Sequence, residues 1–290
     1  MESVQIISMV CYVISAPLLG LLLAGADRII SARMQRRKGP PILQPYYDVR
    51  KLADKERPSA GGVQEFYVLC SLIFMVITGA VFFAGGDLML AVFMLMLSTV
   101  LLLVAAFSSN SPYSQIGAER ELYLTMAYEP MVLFTAIGFY VFSGSFRIID
   151  IATGGSMPIV HLFGIFIGFV FILTIKLRKS PFDIGMSHHA HQELVKGIST
   201  EFSGKTLAMT EIIHWYENIL LLGFIILFFC DGSILGYVIG LAVCISVYVF
   251  EILIDNSFAR MKWQSALKSA WPVALVFGLG NIIVLFALEA

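Results

Sequence analysis

Seven stretches of the chain run for 17 to 31 residues without a charged side chain: Ser3–Ala26, Phe66–Gly86, Leu88–Ala118, Pro130–Phe146, Ile151–Ile175, Gly232–Phe250 and Ser269–Leu288. An eighth, Ile212–Phe229, is apolar toward its end but carries His214 and Glu217 near its start. A helix needs about 20 mainly apolar residues to cross the hydrocarbon of a bilayer. Hydrophobic residues make up 58% of the chain and charged ones 13%, against about 45–50% and about 25% in soluble domains. A water-soluble globule is excluded, and so is a disordered chain, which is poor in apolar surface and rich in charge. A formal net charge of −1 argues against nucleic acid as a partner, which calls for a basic stripe.

The runs predict an all-α, polytopic integral membrane protein. It is expected to be a single membrane domain over 1–290 with eight transmembrane helices, at 4–26, 66–84, 88–107, 122–142, 158–176, 212–229, 234–254 and 271–288. The fourth has to begin before Glu129, near Leu122, to be long enough. The first is expected not to be a cleaved signal, because Met1–Glu2 offers no basic lead and no small-residue cleavage site is evident. Eight spans put the loops 27–65, 108–121, 176–211 and 255–270 on one face, where they hold 18 of the 19 basic residues; Arg147 lies opposite. Positively charged loops stay in the cytoplasm. Both termini are therefore expected outside, with long basic loops on the cytoplasmic side of the cell membrane. No internal repeat is evident, which disfavours a transporter built from duplicated halves.

Against this background a few charges stand out. An acid at a helix centre costs about 2.5–3.5 kcal/mol on insertion scales and usually faces a cavity or a partner. Glu129 lies seven or eight residues into the fourth expected span, between Tyr128 and Pro130, about 10 Å from the inner edge at 1.5 Å per residue. It serves either ion chemistry or packing against a neighbouring helix. Glu211, His214 and Asn218, spaced i, i+3, i+7, share one helical face, either in a polar cavity or at a frayed, wet helix end. Glu251 and Asp255 fit an interfacial position near the inner end of the seventh span.

Loop 177–211 is far longer than a simple helix connection of about 2–8 residues. It holds Asp183, Glu193 and Glu201 among Gly185, Gly197 and Gly204. Carboxyls paired in a dry cavity exchange protons near neutrality; on a wet surface they do not. His188, His189 and His191 form a short cluster without the spacing of a regular zinc site. Cys11, Cys70, Cys230 and Cys244 have neither metal-ligand nor redox spacing, and each falls in an apolar run.

Three ordered motif blocks carry a resemblance. Gln35-Arg36-Arg37-Lys38-Gly39-Pro40, with Gln44-Pro45, Lys51-Leu52 and Lys55-Glu56, resembles the first cytoplasmic loop of the complex I subunit 1 (H subunit) family. Gly117-Ala118-Glu119-Arg120 leading to Tyr128-Glu129 resembles that family's second inner segment. Ser180-Pro181-Phe182-Asp183, Glu193-Leu194-Val195-Lys196-Gly197 and Glu201-Phe202 resemble its third. Between the last blocks, quinone-reactive members usually carry a run rich in Glu. Here Ile184–Gln192 has no acid. The Arg120-Glu121 and Glu129-Pro130 pairs and the stretch from Phe202 to Glu211 look instead like the membrane-bound group 4 NiFe (nickel–iron) hydrogenases, relatives of the formate hydrogenlyase anchor. The sequence as a whole is most similar to the B subunit of Ech-type energy-converting hydrogenases.

The resemblance implies a subunit without a redox centre of its own. The nickel–iron site and the iron–sulfur clusters would sit in partner subunits: the hydrogenase large and small subunits and an iron–sulfur, ferredoxin-like subunit. Ferredoxin would be the electron partner, and an antiporter-like membrane subunit would move protons or sodium ions. Arg36, Arg37 and Lys38, with Arg120 and Asp183, would dock the soluble arm, although the same cations also suit anionic headgroups. Glu129, Glu193, Glu201 and Glu211, with His214, are expected to line a buried proton-transfer cavity beneath that arm. Two rival readings stay open at this point: an H-type subunit that forms a quinone or methanophenazine pocket, and an independent secondary transporter.

Overall fold

Hydrocarbon offers a backbone no water to bond, so each apolar run satisfies its own peptide groups as helix. The computed structural model describes residues 2–55, 62–182, 197–259 and 261–289. These form α1 (Glu2–Met34), α2 (Gln44–Ala53), α3 (Gly62–Phe83), α4 (Leu88–Phe107), α5 (Pro112–Ser143), α6 (Ile148–Ala152), α7 (Phe163–Lys176), α8 (Gly204–Leu227), α9 (Ile234–Ser257), α10 (Trp263–Val273) and α11 (Gly280–Glu289). A π-helical stretch, Ala274–Leu279, joins the last two into one rod just after Pro272, the kind of register slip that a helix proline provokes. Among the described residues there is no strand, only an isolated bridge between Asp87 and Arg147.

Seven of these are long and apolar enough to cross a membrane: α1, α3, α4, α5, α8, α9 and the α10–α11 rod. Helix α7 is the exception, since its 14 residues reach only about 21 Å at 1.5 Å each, short of the roughly 30 Å of hydrocarbon. The single helix expected over 158–176 is thus broken. Pro158–Val160 forms a separate tight turn, because the Ile159 amide bonds to the Phe228 carbonyl at 2.9 Å rather than inside a helix. Two other helices start before their expected spans. Helix α5 starts at Pro112, a residue suited to a first helical position, ten residues before Leu122, and α8 starts at Gly204 rather than at 212. Hydropathy marks what lipid tolerates, whereas a helix continues through Glu121 when Arg178 receives it.

Helix starts follow capping chemistry where a short polar side chain is available. The Asp87 side chain accepts from the Leu90 amide at 2.8 Å ahead of α4, and Ser233 Oγ accepts from Gly236 at 3.1 Å ahead of α9. Interhelical polar contacts then fix the packing, as they do where lipid supplies no hydrophobic drive between helices. Ser71 and Ser98 each donate to the other's carbonyl at 2.8 Å, tying α3 to α4. Tyr216 donates to the Val13 carbonyl at 2.8 Å, tying α8 to α1.

The connections sort to two ends. At one, Leu88 and Phe146 and then Ile148 and Gly86 are joined by backbone hydrogen bonds of 2.8 Å, and Arg147 belongs to this end. At the other, the Met261 amide donates to the Pro181 carbonyl at 2.9 Å, and Gln35 donates to Asn256 at 2.9 Å. This second end gathers the exposed Arg33, Arg36, Arg37 and Lys38 and the basic residues of α2.

One close approach at that end demands glycine. A Cβ on Gly117 would stand 2.5 Å from the carbonyl oxygen of Gly197 and 2.6 Å from its carbon, both backbone atoms. Gly117→Ala is expected to cost about 1–3 kcal/mol through overpacking, read as a lower unfolding temperature of the detergent-solubilised protein. An unchanged unfolding temperature would show that the 197 turn is not held against α5.

Candidate functional site

The run Lys176-Leu177-Arg178-Lys179 puts three cations at the C-terminal end of α7, where the helix dipole favours positive charge. Arg178 takes a left-handed backbone (φ 54°), which turns the chain and fans the three side chains toward different helices. Lys176 Nζ meets Glu217 Oε1 of α8 at 2.8 Å. Arg178 meets Glu121 Oε1 of α5 at 3.3 Å. Lys179 pairs with Asp27 of α1 and stands 3.5 Å from Asp255 of α9. One short segment thus holds four helices by charge.

The Lys176–Glu217 pair is the most enclosed of these, with side-chain exposures of 4% and 10%. Its cation stands 4.4 Å from the centre of the Tyr128 ring, a cation–π distance. Tyr128 donates to Thr125 Oγ1 at 3.3 Å, and His214 Nδ1 lies 3.4 Å from Glu217 Oε2. Such a pair survives burial only because each charge has its counterpart; removing one leaves several kcal/mol uncompensated. Next to Tyr128 on α5, Glu129 has a buried Oε1 with no hydrogen-bond partner among the described residues.

Two small cavities meet at this pair. One, of about 30 Å³, is lined by Ser71, Ser98, Glu121, Tyr128, Lys176 and Glu217 with apolar neighbours. The second, of about 20 Å³, holds Glu129 with Leu95, Val132 and Leu133. Thr99, Tyr128 and Lys176 belong to both walls. Spaces of this size admit water, which needs at least about 10–15 Å³ and a few polar partners. Chemically, the arrangement is an ammonium paired with one carboxyl, Glu217, and lining the water-sized cavity that holds a second, Glu129.

The expected residues divide accordingly. Glu129 lies at the cavity wall. His214 is half-buried and touches Glu217 rather than acting alone, and Glu211 is half-buried one turn before it on α8. Glu201 is a correction: it is exposed, ahead of the first turn of α8, since the 197–199 turn packs on α5 and leaves this side chain pointing away. Asp183, Glu193, His188, His189 and His191 lie outside the described residues. Arg36, Arg37 and Lys38 are exposed, Arg37 bonding to Gln35, and Arg120 is half-buried. Glu251 is a second correction, for it is completely buried rather than interfacial. Sequence reasoning passed over Lys176, Glu217, Glu121 and Arg178 as site residues. The available signal was a lysine and a glutamate each at the edge of an apolar run, at positions where a charge needs a partner.

The comparisons with known proteins bear on this geometry. The family model described as NADH dehydrogenase matches residues 6–286. The chain belongs to this family, the H-type membrane subunits of complex I and their relatives. Among its curated relatives, hydrogenase-4 component C of Escherichia coli K12 is 27% identical over 86% of this chain and 86% of its own length. Formate hydrogenlyase subunit 4 of the same organism is 26% identical, covering 86% and 89%. An H-type subunit of the NADH-quinone oxidoreductase of Geobacter metallireducens is 29% identical, covering 92% and 90%. The fold matches a chain in the structure of a membrane-bound sulfane sulfur reductase, an archaeal respiratory membrane complex, with a TM-score of 0.85 at 24% identity, over 97% of this chain and 99% of that one.

Proposed function

We propose that this chain is the membrane anchor and coupling subunit of an energy-converting, ferredoxin-dependent nickel–iron hydrogenase, and that it links electron transfer to proton or sodium movement. The observation that carries the reading is the Lys176–Glu217 pair beside a water-sized cavity that holds Glu129, whose Oε1 has no hydrogen-bond partner among the described residues. The redox centres are assigned to partner subunits on the basic end, where Arg36, Arg37 and Lys38 offer a docking surface. An electron arriving about 10 Å away changes the potential at the pair by about 1.7 kcal/mol at an effective dielectric of about 20, enough to shift a buried equilibrium more than tenfold. Lys176 released from Glu217 has Glu129 as its next acceptor, and that displacement is what a neighbouring antiporter-like subunit would sense.

The same reading takes α7 with the Pro158–Val160 turn as an eighth crossing. It puts both termini outside and the basic end in the cytoplasm, as the positive-inside rule directs. The names of the hydrogenase-4 and formate hydrogenlyase relatives fit the hydrogenase assignment.

The test is to purify the tagged chain in mild detergent and identify what comes with it. Nickel, iron and a hydrogenase large subunit, with hydrogen evolved from reduced ferredoxin, are the expected result. Co-purification without nickel, with reduction of a quinone or of a sulfur compound instead, would overturn the hydrogenase assignment. Recovery of the chain by itself would overturn the subunit reading.

A further inference from the structure

A second enclosed charge cluster lies on the other side of α7, between α1 and α9, and the coupling site does not use it. At its centre Glu251 of α9 has no exposed surface at all. Thr174 Oγ1 of α7 donates to its Oε1 at 3.3 Å, while Oε2 has no hydrogen-bond partner among the described residues. Lys179 is the cation near it, but Lys179 is already engaged by Asp27 and by Asp255 Oδ2 at 3.5 Å, and Asp255 Oδ1 accepts from the Ser180 amide at 2.9 Å. Tyr248, one turn before Glu251, donates to the Leu23 carbonyl of α1 at 3.2 Å and so is turned away. With every group ionised, one lysine would face three carboxylates.

From this geometry we infer that Glu251 is a proton-binding site of the protein, loaded with a proton in the arrangement seen here and able to release it when Lys179 swings from Asp255 toward it. A buried carboxyl that has, among the described residues, a single hydroxyl donor and no ion pair of its own is neutralised at least cost by binding a proton. No other reactant is needed: the proton leaves Oε2 for water as the lysine replaces it. The cluster is joined to the Lys176–Glu217 pair through the backbone, because Lys176 and Lys179 stand three residues apart on the same turn. A displacement of that segment acts on both.

Infrared difference spectroscopy of the full chain, in the complex that co-purifies with it, tests this whatever the redox partner proves to be. A carbonyl stretch of a protonated carboxylic acid is expected, sensitive to deuterium exchange, and lost in Glu251→Gln but kept in Glu129→Gln. Thr174→Val removes the hydroxyl donor while keeping side-chain shape, so the same band should move to higher wavenumber. If Glu251→Gln fails to assemble, the Thr174→Val spectrum decides alone. A spectrum in which Thr174→Val leaves every carboxylic band in place, or in which an assembled Glu251→Gln retains them all, would overturn the proposal.

Discussion

Replacing Lys176 with Met should cost about 3–5 kcal/mol, because it leaves Glu217 buried without its cation. That is a large part of the stability margin of a typical domain. The expected result is near-complete loss of folded, assembled protein, measured as the yield of monodisperse complex and its unfolding temperature in detergent. The penalty belongs to the stranded carboxylate and not to the missing lysine contacts. Lys176→Met combined with Glu217→Leu should therefore recover assembly, since well-packed apolar pairs often replace buried ion pairs without loss. The rescued double variant should still fail to couple. Wild-type yield and unfolding temperature in the single variant would show that the pair is not the enclosed, mutually dependent contact described, with its 2.8 Å separation and 4% and 10% exposures.

Glu129→Gln should have a different outcome: the complex assembles, but ions moved per electron fall by about tenfold, equivalent to roughly 1.4 kcal/mol. Glutamine fills the same space but offers Lys176 no negative charge and holds no exchangeable carboxyl proton. Its cavity walls of Leu95, Val132 and Leu133 are otherwise unaffected, so packing is preserved. Proton or sodium uptake by complex reconstituted in vesicles, divided by hydrogen evolved, gives the ratio directly. A ratio equal to that of the wild type would remove Glu129 from the pathway and leave the structural role, packing against a neighbour, as its explanation.

Much of the architecture was legible before any fold was known. The run Leu88–Phe107 was bounded as it stands, since Asp87 caps the helix and Ser108 and Ser109 follow it. Where apolar character and helix did not coincide, the sequence misled in a regular way. Helix α5 starts ten residues before the span expected at 122 and carries Glu121, which finds Arg178 across the bundle, and hydropathy cannot see a partner 57 positions away. The segment 158–176 fails as one helix because the Ile159 amide bonds to the Phe228 carbonyl, just past the end of α8. Glu129 stands out from its depth alone, and it lies at a cavity wall. Lys176 and Glu217 were not, because each looks like a charge at the edge of a run until the other is placed beside it.

What the sequence determined is the solvent: uncharged runs of membrane length call for a helical protein in lipid, because this follows from transfer energies that each residue contributes separately. What only the tertiary structure decided is which charges are enclosed and with whom. Lys176 with Glu217, Lys179 with Asp27 and Asp255, and Glu251 with Thr174 are pairings across 41 to 152 positions of chain. The energy of a buried charge depends on the distance to its counterpart, and no property of a single residue contains that distance.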